Sequence, residues 1–205
     1  MQDSTVDNER NSADIQLARA CAAGDAHARR RMFALYYPHI RRFLGNKVPR
    51  GQVEDLVNDI FVRLFDRSLG SYAGSGRLLA FILGVAYHRL LEFYREFAGR
   101  ERVAADDLDE LMDRRPSPSR VAAQHQRREL LCAALRALPP DAQTLLELYY
   151  WDQLTTGEVA DVLGRPVGTV RTQLMRAREL LERRLQIVAF DASDWIELST
   201  EGGAR

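Results

Sequence analysis

Cysteine is nearly absent from this 205-residue chain: only Cys21 and Cys132 occur, far apart in sequence. The four histidines, His27, His39, His88 and His125, stand singly. No Cys/His spacing that holds a metal is present, so these residues are expected to pack, and no metal or cofactor is expected. Lysine is scarcer still, Lys47 being the only one. Arginine therefore carries nearly all the positive charge, as a planar fork suited to phosphates and base edges. No apolar run approaches the roughly 20 residues that cross a bilayer, which excludes membrane insertion. The stretch from Met1 to Ser12 is polar, without the apolar core of a secretory signal, and a cytoplasmic protein is expected. The net charge is zero, which argues against a protein that coats nucleic acid indiscriminately. No phosphate-cradling glycine motif and no nucleophile beside a base is found, so a catalytic site is not expected and the protein is read as no enzyme.

What is present is charge sorted by segment. Between positions 165 and 184, Arg165, Arg171, Arg176, Arg178, Arg183 and Arg184 outnumber Glu179 and Glu182. Asp106, Asp107, Asp109, Glu110 and Asp113 form an acidic run with no basic companion. The most informative stretch lies in the basic half. Thr155 followed by Glu158 is a capping box, placing a helix start near Thr156. Val159 and Leu163 give that helix an apolar face, Ala160 lets a second helix cross closely, and Gly164 offers the positive φ of a tight exit. Pro166 reopens the chain as a helix starter. From Gly168 onward Val170, Leu174, Ala177, Leu181 and Leu185 recur at helical spacing and must face the first helix. The opposite face then carries Thr172, Met175 and Glu179, flanked by Arg171 and Arg176. Forked arginines, a hydroxyl and an apolar side chain on one exposed face suit the major groove of DNA. A plain antiparallel helix pair with solvated arginines is the alternative.

The wider order of motifs weighs against that alternative. Leu138-Pro139-Pro140, the helix around 145–150, Glu158-Val159-Ala160-Asp161-Val162-Leu163-Gly164 and Val167-Gly168-Thr169-Val170-Arg171-Thr172-Gln173-Leu174-Met175-Arg176-Ala177-Arg178 resemble region 4 of bacterial RNA polymerase sigma factors. The extracytoplasmic-function (ECF) group is the best match. The resemblance implies that Arg165, Thr169, Arg171, Thr172, Met175 and Arg176 contact an upstream promoter element. Gln173 departs from it, standing where that family usually has an arginine.

Upstream, the span 14–37 reads as an amphipathic helix broken at Gly24 and Asp25, with its second run ending at Pro38. Residues 52–65 form a helix with Leu56, Val57, Ile60, Phe61, Leu64 and Phe65 inward and acids outward. On its own this is a solvated face. The run from Glu54 to Phe65 resembles the sigma region 2 helix that grips the coiled coil of the polymerase β′ subunit, which implies docking by Asp55, Asn58, Asp59, Phe61 and Arg63. Residues 68–76 are a glycine- and serine-rich loop, and 77–101 a long helix whose aromatics and arginines suit single-strand capture. The segment from Leu79 to Arg95 resembles the promoter-melting part of the same family. This implies contacts to the downstream element by Phe81, Tyr87, His88, Arg89, Tyr94 and Arg95, although Phe81 replaces a common tryptophan and His88 a common asparagine.

The expected fold is all-α, with two small helical domains: a flexible start over 1–12, a region 2-like domain over 13–99, an acidic Pro/Ser linker over 100–119, a region 4-like domain over 120–185 and an extension over 186–205. The resemblance implies core RNA polymerase as partner, through the β′ coiled coil and the β flap, together with promoter DNA and, as a common regulator in the family, an anti-sigma factor. A stand-alone helix-turn-helix regulator and a sigma-like interaction module without DNA binding are the competing functions.

Overall fold

The computed structural model describes residues 3–45, 47–100 and 130–201. The acidic and Pro/Ser segment read as a linker lies outside them. Every regular element among the described residues is helical. The N-terminal unit holds α1 (Asp3–Ala22), α2 (Ala26–Leu44), α3 (Arg50–Arg63) and α4 (Leu78–Arg100). The C-terminal unit holds α5 (130–136), α6 (Pro140–Leu146), α7 (Thr156–Leu163) and α8 (Val167–Glu201).

Local chemistry accounts for most boundaries. Gly24 takes φ +89° between α1 and α2, and Asp25 caps α2 by accepting from the amides of His27 and Ala28 at 2.7 and 3.0 Å. Those two bonds lower the Asp25 carboxyl below its ordinary pKa. Pro38, read from sequence as a helix end, instead lies inside α2. A proline there removes one backbone donor, but Met32 before it and Ile40, Phe43 and Leu44 after it are all anchored in the core, and this packing carries the helix through. α1 starts at Asp3, so much of the stretch read as a flexible start is helical. α3 and α6 each continue into a single wide turn, Leu64–Ser68 and Glu147–Trp151.

The glycine-rich loop after α3 is clamped by α1. Asn11 donates to the carbonyl of Gly74 at 3.1 Å, and Asp14 accepts the amide of Leu78, the first residue of α4, at 3.2 Å. Gly74 has φ +81°, which strains any other residue, and a Cβ there would sit 2.5 Å from Ile15 Cδ1, so a side chain at position 74 requires Ile15 to move.

α4 is the central element, apolar on two faces. At 100° per residue, Leu79, Ile82, Ala86 and Phe93 share the side packed against α1, α2 and α3. Ala80, Gly84 and Tyr87 share another, which lies against α7 of the C-terminal unit. Small residues allow a close crossing here: a Cβ at Gly84 would lie 3.8 Å from the Cα of Val162. The rest of α4 carries His88, Arg95 and Glu96, which are exposed. One contiguous apolar core runs from α1 to α8 through both units.

Candidate nucleic-acid interface

The helix-turn-helix forms as its sequence requires. The Glu158 amide donates to Thr155 Oγ1 at 3.2 Å, and the Thr155 amide donates back to Glu158 Oε2 at 2.8 Å. Gly164 ends α7 with φ 62°, and α8 begins at Val167. Val159, Ala160 and Leu163 of α7 are buried with Val170, Leu174 and Ala177 of α8. This fixes the rotation of α8 and turns Thr169, Arg171, Thr172 and Arg176 to solvent. Met175 sits among them, 54% exposed. Behind that face, the Arg178 guanidinium lies 5.3 Å from the ring centroids of both Tyr149 and Tyr150, bracing α8 on the turn after α6.

Arg165 is placed differently. Its two terminal nitrogens donate to the Asp141 carboxylate at 2.6 and 2.7 Å, one also reaches Gln173 Oε1 at 3.0 Å, and the other reaches the Tyr87 hydroxyl at 3.2 Å. The Asp141 bonds, against the opposing effect of burial, raise the guanidinium pKa above its ordinary value. Gln173, the departure from the family pattern, is therefore a holder of Arg165.

On α4, His88 and Arg95 are exposed and Arg89 is half-buried. Tyr87 is only 7% exposed, and Phe81 packs against Tyr72 with ring centroids 5.3 Å apart. Tyr94 donates to the carbonyl of Lys47 at 2.9 Å, and its phenol is pushed up to about 12, first by burial and then by the charge of Glu147.

On α3, Asp55 and Asn58 are exposed. Asp59 accepts from Arg63 at 3.2 Å and from Arg89, while Arg63 also reaches Glu92 at 2.6 Å. Burial alone would raise the Asp59 carboxyl, but the bonds from Arg89 and Arg63 outweigh it and hold it below its ordinary value. An open groove of about 610 Å³ runs between α3 and α4, lined by Arg63, Arg67, His88, Arg89 and Glu92 among others. Candidates for polymerase docking and for strand capture thus meet in one charged groove. Phe61 is not on that face: it is 3% exposed and packs against Phe33 with tilted rings, centroids 4.6 Å apart.

A polar seam between the units was not anticipated from the sequence. Lys47 and Glu147 pair within it, both buried. Lys47 also donates to the Phe43 carbonyl at 2.7 Å, and Gln143 donates to the other oxygen of Glu147 at 2.9 Å. Burial pushes the Lys47 ammonium below its ordinary pKa despite the pull of Glu147. Asp152, buried, accepts from Arg42 and lies 2.7 Å from His39 Nδ1. Arg77 donates to the carbonyl of Gln153 at 2.9 Å, where the chain takes φ 52°. The one available signal was Lys47, a single lysine in an arginine-rich chain. Among the described residues, no group of His, Cys, Asp and Glu side chains is arranged to hold a metal ion, and no helix is long and apolar enough to cross a membrane.

Comparison with known proteins follows this geometry. The family model for sigma-70, region 4 matches residues 128–181, which contain the whole helix-turn-helix. The ECF RNA polymerase sigma-E factor of Escherichia coli (strain K12) is 24% identical over 183 residues, covering 84% of this chain and 94% of that protein. The sigma-E factor of Haemophilus influenzae is 24% identical over 182 residues, covering 84% and 95%. Among solved structures, CnrH in complex with the cytosolic domain of CnrY matches with a TM-score of 0.61 at 21% identity, covering 85% of this chain and 98% of that one. The sigma factor RpoE of Bartonella quintana, in complex with the anti-sigma factor NepR, matches with a TM-score of 0.58 at 21% identity, covering 77% and 96%. The two structures share the all-helical fold. With the region 4 match on the helix-turn-helix and relatives aligned along most of both lengths, the chain is similar to the bacterial RNA polymerase sigma factors of the extracytoplasmic-function group.

Proposed function

We propose that this chain binds core RNA polymerase and directs promoter-specific initiation, with α8 reading the upstream element and α4 capturing the melted downstream strand. The observation that carries this reading is the exposed face of α8, where Arg171, Thr172, Met175 and Arg176 stand on a helix whose rotation is fixed by the capped α7 behind it. Arginine forks pair with guanine edges, threonine with base or phosphate, and methionine with thymine methyl groups. Arg165 and Thr169, at the start of α8, complete the upstream set. Asp55, Asn58, Asp59 and Arg63 form the surface for the β′ coiled coil, and the C-terminal unit meets the β flap. Phe81, Tyr87, His88, Arg89, Tyr94 and Arg95 are the strand-capturing set, stacking unpaired bases and holding their phosphates.

The polymerase performs the chemistry, and this chain supplies recognition and melting without a catalytic group of its own. Its site of action is the cytoplasm, where the polymerase works, and an anti-sigma factor is the regulatory partner to seek. The test is a footprint on promoter DNA with and without core polymerase. Protection of two separated elements that requires core supports the reading; equal protection by the chain alone points to a stand-alone regulator.

A further inference from the structure

The first turn of α4 is capped from elsewhere in the chain. A helix leaves its first amides without partners of its own, and a Ser, Thr, Asp or Asn just before it usually accepts one of them. Arg77, the residue before α4, has no side-chain acceptor to offer. The amide of Leu78 is instead accepted by Asp14 of α1, 64 positions away, at 3.2 Å. Phe81, read as a strand-capturing residue, stands on this same turn, its amide bonded to the carbonyl of Arg77 at 3.2 Å.

The loop that leads into the turn is fixed by the same helix. Asn11 donates to the carbonyl of Gly74 at 3.1 Å, and Ile15 fills the space beside Gly74 that a Cβ would need. Tyr72 donates to the carbonyl of Gly76 at 2.8 Å and lays its ring against Phe81, centroids 5.3 Å apart. Burial, and after it the charge of Asp14, pushes the Tyr72 phenol up to about 12, so its hydroxyl stays a donor at neutral pH. Ala73, Ser75 and Gly76 remain exposed. Contacts from three residues of α1 thus converge on one short span that ends beside a strand-capturing side chain.

A loop with glycines at 70, 74 and 76 would populate many shapes if left free, and ordering it against a strand would weaken binding. Contacts made within the protein beforehand remove that loss. Asn11 supplies one of them from the stretch read in the sequence as a flexible start.

We propose that Asn11, Asp14 and Ile15 are positioning residues for promoter opening, holding residues 72–78 so that Phe81 is already presented when a strand is melted. The inference rests on the sigma reading above and deepens it, since it gives α1 a part in strand capture that acts through Tyr72 and Phe81.

The test separates opening from the steps before it. Full chains carrying Asn11→Ala, Asp14→Ala or Asp14→Asn are compared with the native chain for retention on immobilised core polymerase and on a promoter fragment from the source genome. Protection of the upstream element reads DNA binding, and permanganate oxidation of unpaired thymines reads strand opening. Asn11→Ala and Asp14→Ala are expected to keep core retention and upstream protection while thymine reactivity falls by about two- to thirtyfold, the range that loss of a helix cap represents. Asp14→Asn keeps an oxygen that accepts the Leu78 amide, and it is expected to hold reactivity near the native level. Native reactivity in both alanine variants overturns the positioning role. Loss of core retention in step with the loss of opening also overturns it, marking these residues as supports of the fold alone. A native chain that binds core yet opens no fragment contradicts the sigma reading and takes this inference with it.

Discussion

The hydroxyl of Tyr87 on α4 lies 3.2 Å from a terminal nitrogen of Arg165 at the head of the reading helix, joining side chains 78 positions apart in sequence. Tyr87→Phe keeps the ring and removes this bond, while Arg165 retains both bonds to Asp141. A single hydrogen bond of this kind contributes about 0.5–1.5 kcal/mol. The variant is expected to unfold about 2–4 °C lower for each kcal/mol lost, measured by calorimetry. An unchanged transition would mean that the contact adds nothing to closure.

Arg171 and Arg176 are exposed on α8. Replacing either with alanine is expected to leave the far-ultraviolet circular dichroism and thermal transition unchanged. Promoter affinity of the polymerase complex, measured by titration against matched and mutated upstream elements, falls by about 1–3 kcal/mol, and selectivity at the contacted base relaxes. A uniform loss across all sequences would reassign that arginine to the phosphate backbone.

Phe61 and Asp55 belong to the same helix and were read from sequence as parts of one docking surface, but they fail for different reasons when changed. Phe61, 3% exposed and packed against Phe33, anchors the core, and Phe61→Ala is expected to cost about 3–5 kcal/mol in denaturant unfolding. Asp55 is exposed, and Asp55→Ala is expected to shift stability by no more than about 0.5 kcal/mol while weakening retention on immobilised core polymerase. Normal retention of the Asp55 variant would remove it from the docking surface.

Asp59 sets an acid limit on the groove between α3 and α4. Its folded pKa is depressed, because bonds from Arg89 and Arg63 outweigh the effect of burial. Its contribution is therefore full above the unfolded value, about 3.9, and is lost as pH falls through the lower folded value. Asp59 is partly exposed, so the contribution is at most about 1 kcal/mol. The thermal gap between the native chain and Asp59→Asn is expected at pH 7 and to close as pH falls below about 4. A gap that does not narrow at all as the solution is acidified would show that the substitution acts through packing.

How much was legible in the sequence divides by range. The helix-turn-helix could be read directly because its determinants are local: Thr155 and Glu158 are three residues apart, and Gly164 needs only its own positive φ. Val170, Leu174 and Ala177 were placed inward by spacing, and they are buried. Pro38 lies inside α2 because the core contacts of Met32 and Ile40 on either side outweigh the local penalty of a proline. Tyr87 was grouped with exposed aromatics because it falls off the first apolar face of α4; in the closed chain that helix has a second buried face, supplied by α7. The Lys47–Glu147 and His39–Asp152 pairings join residues 100 and 113 positions apart, and no periodicity or motif brings such partners together before the units dock.

Run-off transcription tests the central claim most directly, using core polymerase purified free of any sigma factor, fragments of the source genome as template, and this chain as the added component. Sigma activity predicts discrete transcripts that appear only when the chain is present and that share a start site downstream of two separated sequence elements. Stable binding to core with no specific transcript would contradict it, as would equal transcription from the chain with Arg171 and Arg176 both replaced by alanine.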